Sequence, residues 1–124
     1  MIRLKSPEEI VFYRETGKIA GEILSILKDH VKIDADTYSI AKFAEELIVK
    51  KYNAIPSSIG QYDFKFALNS SINNVICHGV PSKQDVLKDG DTINLDITVK
   101  KHGFIADTSR MYMVGNVSPE AKRL

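Results

Sequence analysis

A chain of 124 residues, 44% of them hydrophobic and 27% charged, holds the material for one packed domain and no more. With 7 Gly and 4 Pro it is neither collagen-like, low-complexity nor disordered in composition. Seventeen basic against 16 acidic residues leave a formal charge of +1, so no broad basic footprint for nucleic acid is expected.

A single cysteine, Cys77, rules out an internal disulfide framework and fits a reducing compartment. The opening Met1–Glu9 lacks the apolar run of a signal peptide. The most apolar windows, Ile19–Leu27 and Ala67–Val80, are broken by polar residues short of a membrane span. The expectation is a soluble cytoplasmic protein with no membrane partner.

Ser6-Pro7-Glu8-Glu9 predicts a helix start, with Ser6 as cap, Pro7 at the first helical position and Glu9 closing a capping box. Apolar or small residues then recur at helical spacing through Ile10, Tyr13, Gly17, Ala20, Leu24, Leu27 and Val31. A second row, Phe12, Ile19, Ile23 and Ile26, widens that face. After a connection over Lys32–Asp36, Thr37 is expected to cap a second helix carrying Ile40, Phe43, Ala44, Leu47 and Ile48, which ends before Pro56.

From Phe64 the signals become extended, with strands predicted over Phe64–Leu68, Val75–Cys77, Thr92–Val99 and Phe104–Val114. Two helices followed by a sheet make an α+β layout, helices packed on an antiparallel sheet, without a linker. Ser118-Pro119-Glu120 repeats the Ser-Pro-Glu of the first helix and predicts another helix. Its short run to Leu124 suggests a truncated chain.

The hairpin is the most informative segment. In Thr92–Val99 the residues Thr92, Asn94, Asp96 and Thr98 alternate with Ile93, Leu95, Ile97 and Val99. With a loop over Lys100–Gly103, or a tighter one at Lys101-His102, Asp96 would face Asp107, Asn94 would face Ser109 and Thr98 would face Ile105. A three- or five-residue loop would slip the register by one. Two carboxylates on one sheet face repel unless they share a proton or hold cations. The same pattern also fits a solvent-facing polar side with two ordinary surface aspartates.

Cys77-His78-Gly79-Val80-Pro81 is the second constellation. His78 suits a general acid, a substrate-contacting donor or a metal ligand, and equally a hydrogen-bonded structural histidine. Cys77 reads as a small buried packing residue rather than a nucleophile. His30 falls at a helix end and reads as structural, and His102 lies in the hairpin loop with Lys100 and Lys101 and reads as a solvated loop residue. Tyr62, Phe64 and Phe66 can line an apolar pocket or fill a core.

Three blocks in order, Ser71-Ile72-Asn73-Asn74-Val75-Ile76-Cys77-His78-Gly79-Val80-Pro81, Leu87–Val99 and Gly103–Tyr112, resemble the signatures of type I methionine aminopeptidases. Lys5–Ile10 and Arg14–Ala20 fit as well, so the resemblance spans essentially the whole chain. It implies the N-terminal half of the pita-bread (creatinase/aminopeptidase) fold, residues 1–124 forming one of two pseudo-symmetric halves around a two-metal site. Carried onto this chain, the resemblance makes Asp96 the bidentate ligand of one metal and Asp107 the bridging ligand. His78 becomes the histidine near the scissile amide, and Phe64 falls where a pocket tyrosine is common.

Two divalent ions are implied, with Co, Mn, Fe, Zn and Mg not distinguished; such ions acidify water and polarise the carbonyl under attack. Nascent peptides with an N-terminal Met are the implied substrates, and the ribosome a candidate partner. The remaining ligands, one histidine and two glutamates, belong to the C-terminal half, outside this chain. The chain alone is therefore expected to bind metal weakly, to show negligible aminopeptidase activity and to leave an apolar edge or face uncovered. Gln61–Phe66 departs from the family pattern, which changes the pocket. The alternatives are a catalytically inactive remnant or peptide- or ribosome-binding module of the same fold, and half of a proline-specific aminopeptidase.

Overall fold

Helix α1 spans Pro7–Leu27, and its start is locked twice, as the sequence predicts. Ser6 Oγ accepts from the Glu9 N–H at 3.1 Å, and the Glu9 carboxylate accepts from the Ser6 N–H at 2.8 Å. The computed structural model describes residues Met1–Leu124. Along α1 the buried positions are Thr16, Ala20, Ile23, Leu24 and Leu27, one face of the helix. Thr16 is tolerated there because its hydroxyl donates to Phe12 O at 2.9 Å.

Helix α2, Thr37–Glu46, is capped one residue earlier than expected. The Asp36 carboxylate accepts from both the Ser39 N–H and the Ser39 hydroxyl, each at 2.8 Å. Thr37 is buried instead, exchanging hydrogen bonds with Ser82: its hydroxyl donates to Ser82 O at 3.1 Å and accepts from the Ser82 N–H at 2.9 Å. A π-helical turn over Leu47–Lys51 prolongs α2 and buries Ile48.

The sheet has four strands, β1 (Ile55–Pro56), β2 (Leu68–Ile72), β3 (Thr92–Lys101) and β4 (Phe104–Met113), all paired antiparallel to β3. The central strand β3 carries β4 on one edge and β2 and β1 on the other. Ile93, Leu95, Ile97 and Val99 are wholly buried, while the residues between them are half-buried. The period-two pattern therefore puts one face of β3 in the core, facing α1, while α2 packs on the neighbouring β2. Each such side chain contributes about 1.5–3 kcal/mol of burial free energy. Tyr112 joins this inner face, and its buried hydroxyl donates to Leu24 O at 2.5 Å, tying β4 to α1.

Two expected strands are corrected. Phe64–Leu68 is not a strand; β2 begins at Leu68, because Gly60, Tyr62 and Asp63 take left-handed backbone (φ 91°, 48° and 62°) and coil the preceding segment into a turn. Val75–Cys77 is a loop, although β-branched residues open it. Both edges of β3 are already occupied there, so this run has no ladder to join, and Ile76 is 94% exposed.

Ser118 caps a short helix α3, Pro119–Arg123, accepting from the Ala121 N–H at 3.2 Å. No helix is long and apolar enough to cross a membrane.

Candidate active site

The turn between β3 and β4 decides where the two aspartates meet. It is the two-residue loop His102-Gly103, with φ of 51° and 81°, flanked by the pair Lys101↔Phe104. A tight hairpin of this kind needs positive φ at both central residues, which suits Gly at the second position and disfavours Lys101-His102 as the centre. The register is therefore displaced by two from the expected one. Asp96 pairs with Ser109, Thr98 with Asp107, Asn94 with Met111 and Lys100 with Ile105. A shift of two preserves parity, so Asp96 and Asp107 still share a face, as diagonal rather than opposed neighbours.

Their carboxyls nevertheless meet. Asp96 is pushed up from 3.8 to about 6, first by burial and then by a hydrogen bond and charge repulsion from Asp107, against a smaller opposing effect of His78. Asp96 thus holds a proton more readily than an isolated aspartate does. Asp107 is exposed and Asp96 half-buried. Thr92, Asn94, Thr98 and Ser109 lie on the same face, with the Asn94 amide donating to Ser109 Oγ at 3.4 Å. Ile105, Met111 and Met113 flank them, 45%, 60% and 50% exposed, so this sheet face carries apolar surface open to water.

His78 reaches the same place from the loop after β2. Asn73 turns the chain out of the strand at φ 51°, its side chain accepting from the Thr92 N–H at 3.0 Å and donating to Asp91 at 2.9 Å. Gly79 brings the chain back: Ser70 N–H donates to Gly79 O at 2.9 Å and Gly79 N–H to Ser71 Oγ at 3.2 Å. A Cβ on Gly79 would overlap the Ser70 carbonyl, so only glycine permits this approach. His78, immediately before it, adopts φ 57°, a strained conformation for a histidine.

Beside the carboxylates lies a cavity of about 260 Å³ lined by Ser58, Gln61, Tyr62, Phe64, Asn69 and His78. Asn69 is the β2 register partner of Asp96, which sets this cavity against the aspartates. Phe64 meets Phe66 edge-on, ring centroids 5.9 Å apart, and so forms a fixed wall.

Asp96, Asp107, His78 and Phe64 thus converge. Ser58, Gln61 and Asn69 were not singled out from the sequence. Asn69 in particular is hidden by its strand, whose Asn-Ser-Ser core reads as a turn, and only the register with β3 exposes it.

Other expected positions differ. Cys77, expected to be buried packing, is exposed because the loop Asn73–His78 stands off the sheet. His30 does sit at a helix end, its Nδ1 3.4 Å from Ile26 O and its ring stacked on Phe43 at 4.0 Å. His102 lies in the hairpin loop, 4.0 Å from the Glu15 carboxylate.

The chain has relatives among known proteins. The model of Metallopeptidase family M24 matches residues 12–124, and the chain belongs to that family. Over 121 residues it is 40% identical to a methionine aminopeptidase of Buchnera aphidicola subsp. Acyrthosiphon pisum, covering 98% of this chain and 46% of that protein. The crystal structure of methionine aminopeptidase from Rickettsia prowazekii superposes with a TM-score of 0.96 at 40% identity, over 100% of this chain and 49% of the other. An Xaa-Pro dipeptidase from Bacillus anthracis superposes with a TM-score of 0.78 at 20% identity, over 97% of this chain and 32% of the other, which is a likeness of fold alone. The architecture is that of the pita-bread fold, two helices on a four-stranded antiparallel sheet, and the chain spans about half the length of the curated relatives it matches.

Proposed function

We propose that residues 1–124 form the N-terminal half of a metal-dependent methionine aminopeptidase, contributing part of the site that removes Met from the start of nascent peptides. The carrying observation is the crowded pair Asp96 and Asp107, which meets His78 and a side-chain-sized cavity on one sheet face. The printed names of the relatives and the match to about half their length support the reading. A cytoplasmic setting goes with it and with the unpaired Cys77. The ribosome is its natural meeting point with nascent chains. The likeness to proline-specific enzymes favours no second reading.

The donor set fits a divalent cation in part. Asp96, whose ionisation the neighbouring Asp107 makes costly, would be relieved by a hard cation between the two carboxylates. No three His, Cys, Asp or Glu side chains of this chain are placed so that together they could hold a metal ion, so in this reading the remaining ligands of a two-ion centre come from elsewhere. In this reading Asp96 and Asp107 hold the ions, which when bound acidify water and polarise the scissile carbonyl. His78, a hydrogen-bonding ring at the cavity rim, orients the substrate amide. Phe64 walls the pocket for the first side chain.

Joining this chain to the C-terminal half of a related methionine aminopeptidase and assaying Met release with Mn²⁺ or Co²⁺ tests the proposal. Release is expected, and both release and metal binding should fall in Asp96→Ala and Asp107→Ala. An inactive joined protein whose metal binding ignores both substitutions would overturn it. The 124-residue chain alone is expected to bind Mn²⁺ weakly and to release no Met.

A further inference from the structure

We propose that the open edge of β4 is the docking surface for a second copy of this chain, which adds its own β4 antiparallel and makes one continuous sheet about a two-fold axis at Ser109. The inference stands apart from the catalytic reading, since it needs only the hairpin and helix α1.

β4 is the outermost strand on its side of the sheet. Its hairpin closes at Lys101↔Phe104, so Phe104, Ala106, Thr108, Arg110 and Tyr112 turn their N–H and C=O groups to β3. Ile105, Asp107, Ser109, Met111 and Met113 turn theirs outward, and none has a backbone hydrogen bond beyond that ladder. The strand contains no Pro, Lys or bulge, the usual guards of an exposed edge. The other side of the sheet is guarded: Gly79 O takes the outward Ser70 N–H of β2, and β1 is only two residues long. One open edge closes on a single partner and does not grow into a fibre.

The side chains select the register. A two-fold axis at Asp107 would set two carboxylates face to face, and one at Arg110 would do the same to two guanidinium groups. An axis at Thr108 would run Met113 past the turn at Gly103. An axis at Ser109 opposes Ile105 to Met113, Asp107 to Met111 and Arg110 to Thr108. It uses the whole strand, joins exposed apolar side chains and opposes no like charges.

The helix layer agrees with this geometry. Helix α1 lies over β3 and β4. Its Gly17, Gly21 and Ser25 form a stripe of small residues, and a Cβ on either glycine would meet nothing within 4 Å. Arg110 of β4 donates to Ser25 Oγ at 3.2 Å, so the stripe borders the open edge. A copy joined at β4 brings its own α1 antiparallel at two strand spacings, about 10 Å. Helices pack at about 8–10 Å, and small residues let the two backbones approach that closely. Because the axis stands perpendicular to the sheet, both Asp96–Asp107 faces lie on one side of the joined sheet and both α1 helices on the other.

Sedimentation velocity of the 124-residue chain over about 1–200 μM should show monomer passing to dimer as concentration rises. Met111→Lys, at an exposed position, should weaken the association about tenfold or more. Ser109→Pro, which removes an outward N–H that the single chain does not use, should do the same. In a Cys77→Ser background, Ser109→Cys should oxidise to a linked dimer, because such an opposed pair has Cα atoms about 5.5 Å apart. Ile105→Cys and Met113→Cys should cross-link when mixed and not alone. A chain that stays monomeric throughout, or a dimer indifferent to both Met111→Lys and Ser109→Pro, overturns the proposal. Cross-linking of Ile105→Cys with itself and not with Met113→Cys overturns the axis at Ser109.

Discussion

Replacing Asp96 by Asn should stabilise the chain at neutral and alkaline pH and leave it unchanged in acid. Asp96 ionises at about 6 in the folded chain against 3.8 as an isolated carboxyl, because burial and Asp107 disfavour its charge. A folded-state value raised above the unfolded one means that the native state binds the proton more tightly. Well below the ordinary value of 3.8 both states are protonated and nothing is lost. As pH rises from about 4 through 6, the unfolded chain ionises first, and the native state is left carrying a cost that is complete near about pH 7.

A difference of that size corresponds to about 3 kcal/mol at most. Asp107 is exposed and Asp96 only half-buried, so solvent screening reduces the cost to about 1 kcal/mol. The asparagine would keep the shape of the side chain and donate its amide to the Asp107 carboxylate without the repulsion. Urea unfolding followed by circular dichroism, with EDTA present, should show Asp96→Asn about 1 kcal/mol more stable than the parent at about pH 8, equivalent to about 4 °C in Tm for a chain this long. At about pH 3.5 the two should coincide. An equal difference at both pH values, or a less stable variant at the higher one, would refute the account of crowded carboxylates.

With Mn²⁺ in place of EDTA at the same alkaline pH, the order should reverse: the parent gains stability with rising metal concentration and Asp96→Asn does not, read as Tm against concentration. Gly79→Ala should cost about 1–3 kcal/mol in urea unfolding, because its Cβ has to displace the Ser70 carbonyl, and should shift the His78 ring resonances. Tyr112→Phe should cost about 1 kcal/mol by removing the buried bond to Leu24 O. It should also flatten the alkaline limb. Burial raises the Tyr112 phenol, so stability is whole below the ordinary value of 10.0 and falls above it as the unfolded chain ionises first. Ser6→Ala should cost about 1 kcal/mol and fray the first turn of α1, visible as faster amide exchange at Glu8 and Glu9.

How much was legible in the chain depended on how local the cause was. The Ser6 capping box and the burial alternation of β3 are written within a few residues, and both stand in the structure as read. The cap of α2 moved from Thr37 to Asp36 because Thr37 found a distant partner in Ser82, which no local pattern announces.

The misread strands fail for the same reason. Val75-Ile76-Cys77 has strand-like composition but no free edge to pair with, whereas Leu68-Asn69-Ser70-Ser71-Ile72 has poor strand composition and pairs residue by residue with β3. Propensity states what a segment tolerates; the sheet assigns the places.

The aspartate pair shows why a shared sheet face can be read through a wrong register. A turn centred one residue early displaces every pair by two, yet faces depend only on parity. Asp96 and Asp107 share a face under either register, and a carboxyl is long enough to span the diagonal.

The cavity had no such protection. Gln61, Asn69 and Ser58 come from a left-handed turn, a strand that does not look like one and the segment after β1, and only long-range pairing brings them together. The carboxylate pair carried by one hairpin was therefore visible in the sequence, whereas a cavity lined by several separate segments had to wait for the fold. The same division separates the two kinds of inference about function. The aspartates sit in blocks that resemble the family, while the lining of the cavity includes residues of Gln61–Phe66, the segment that departs from it.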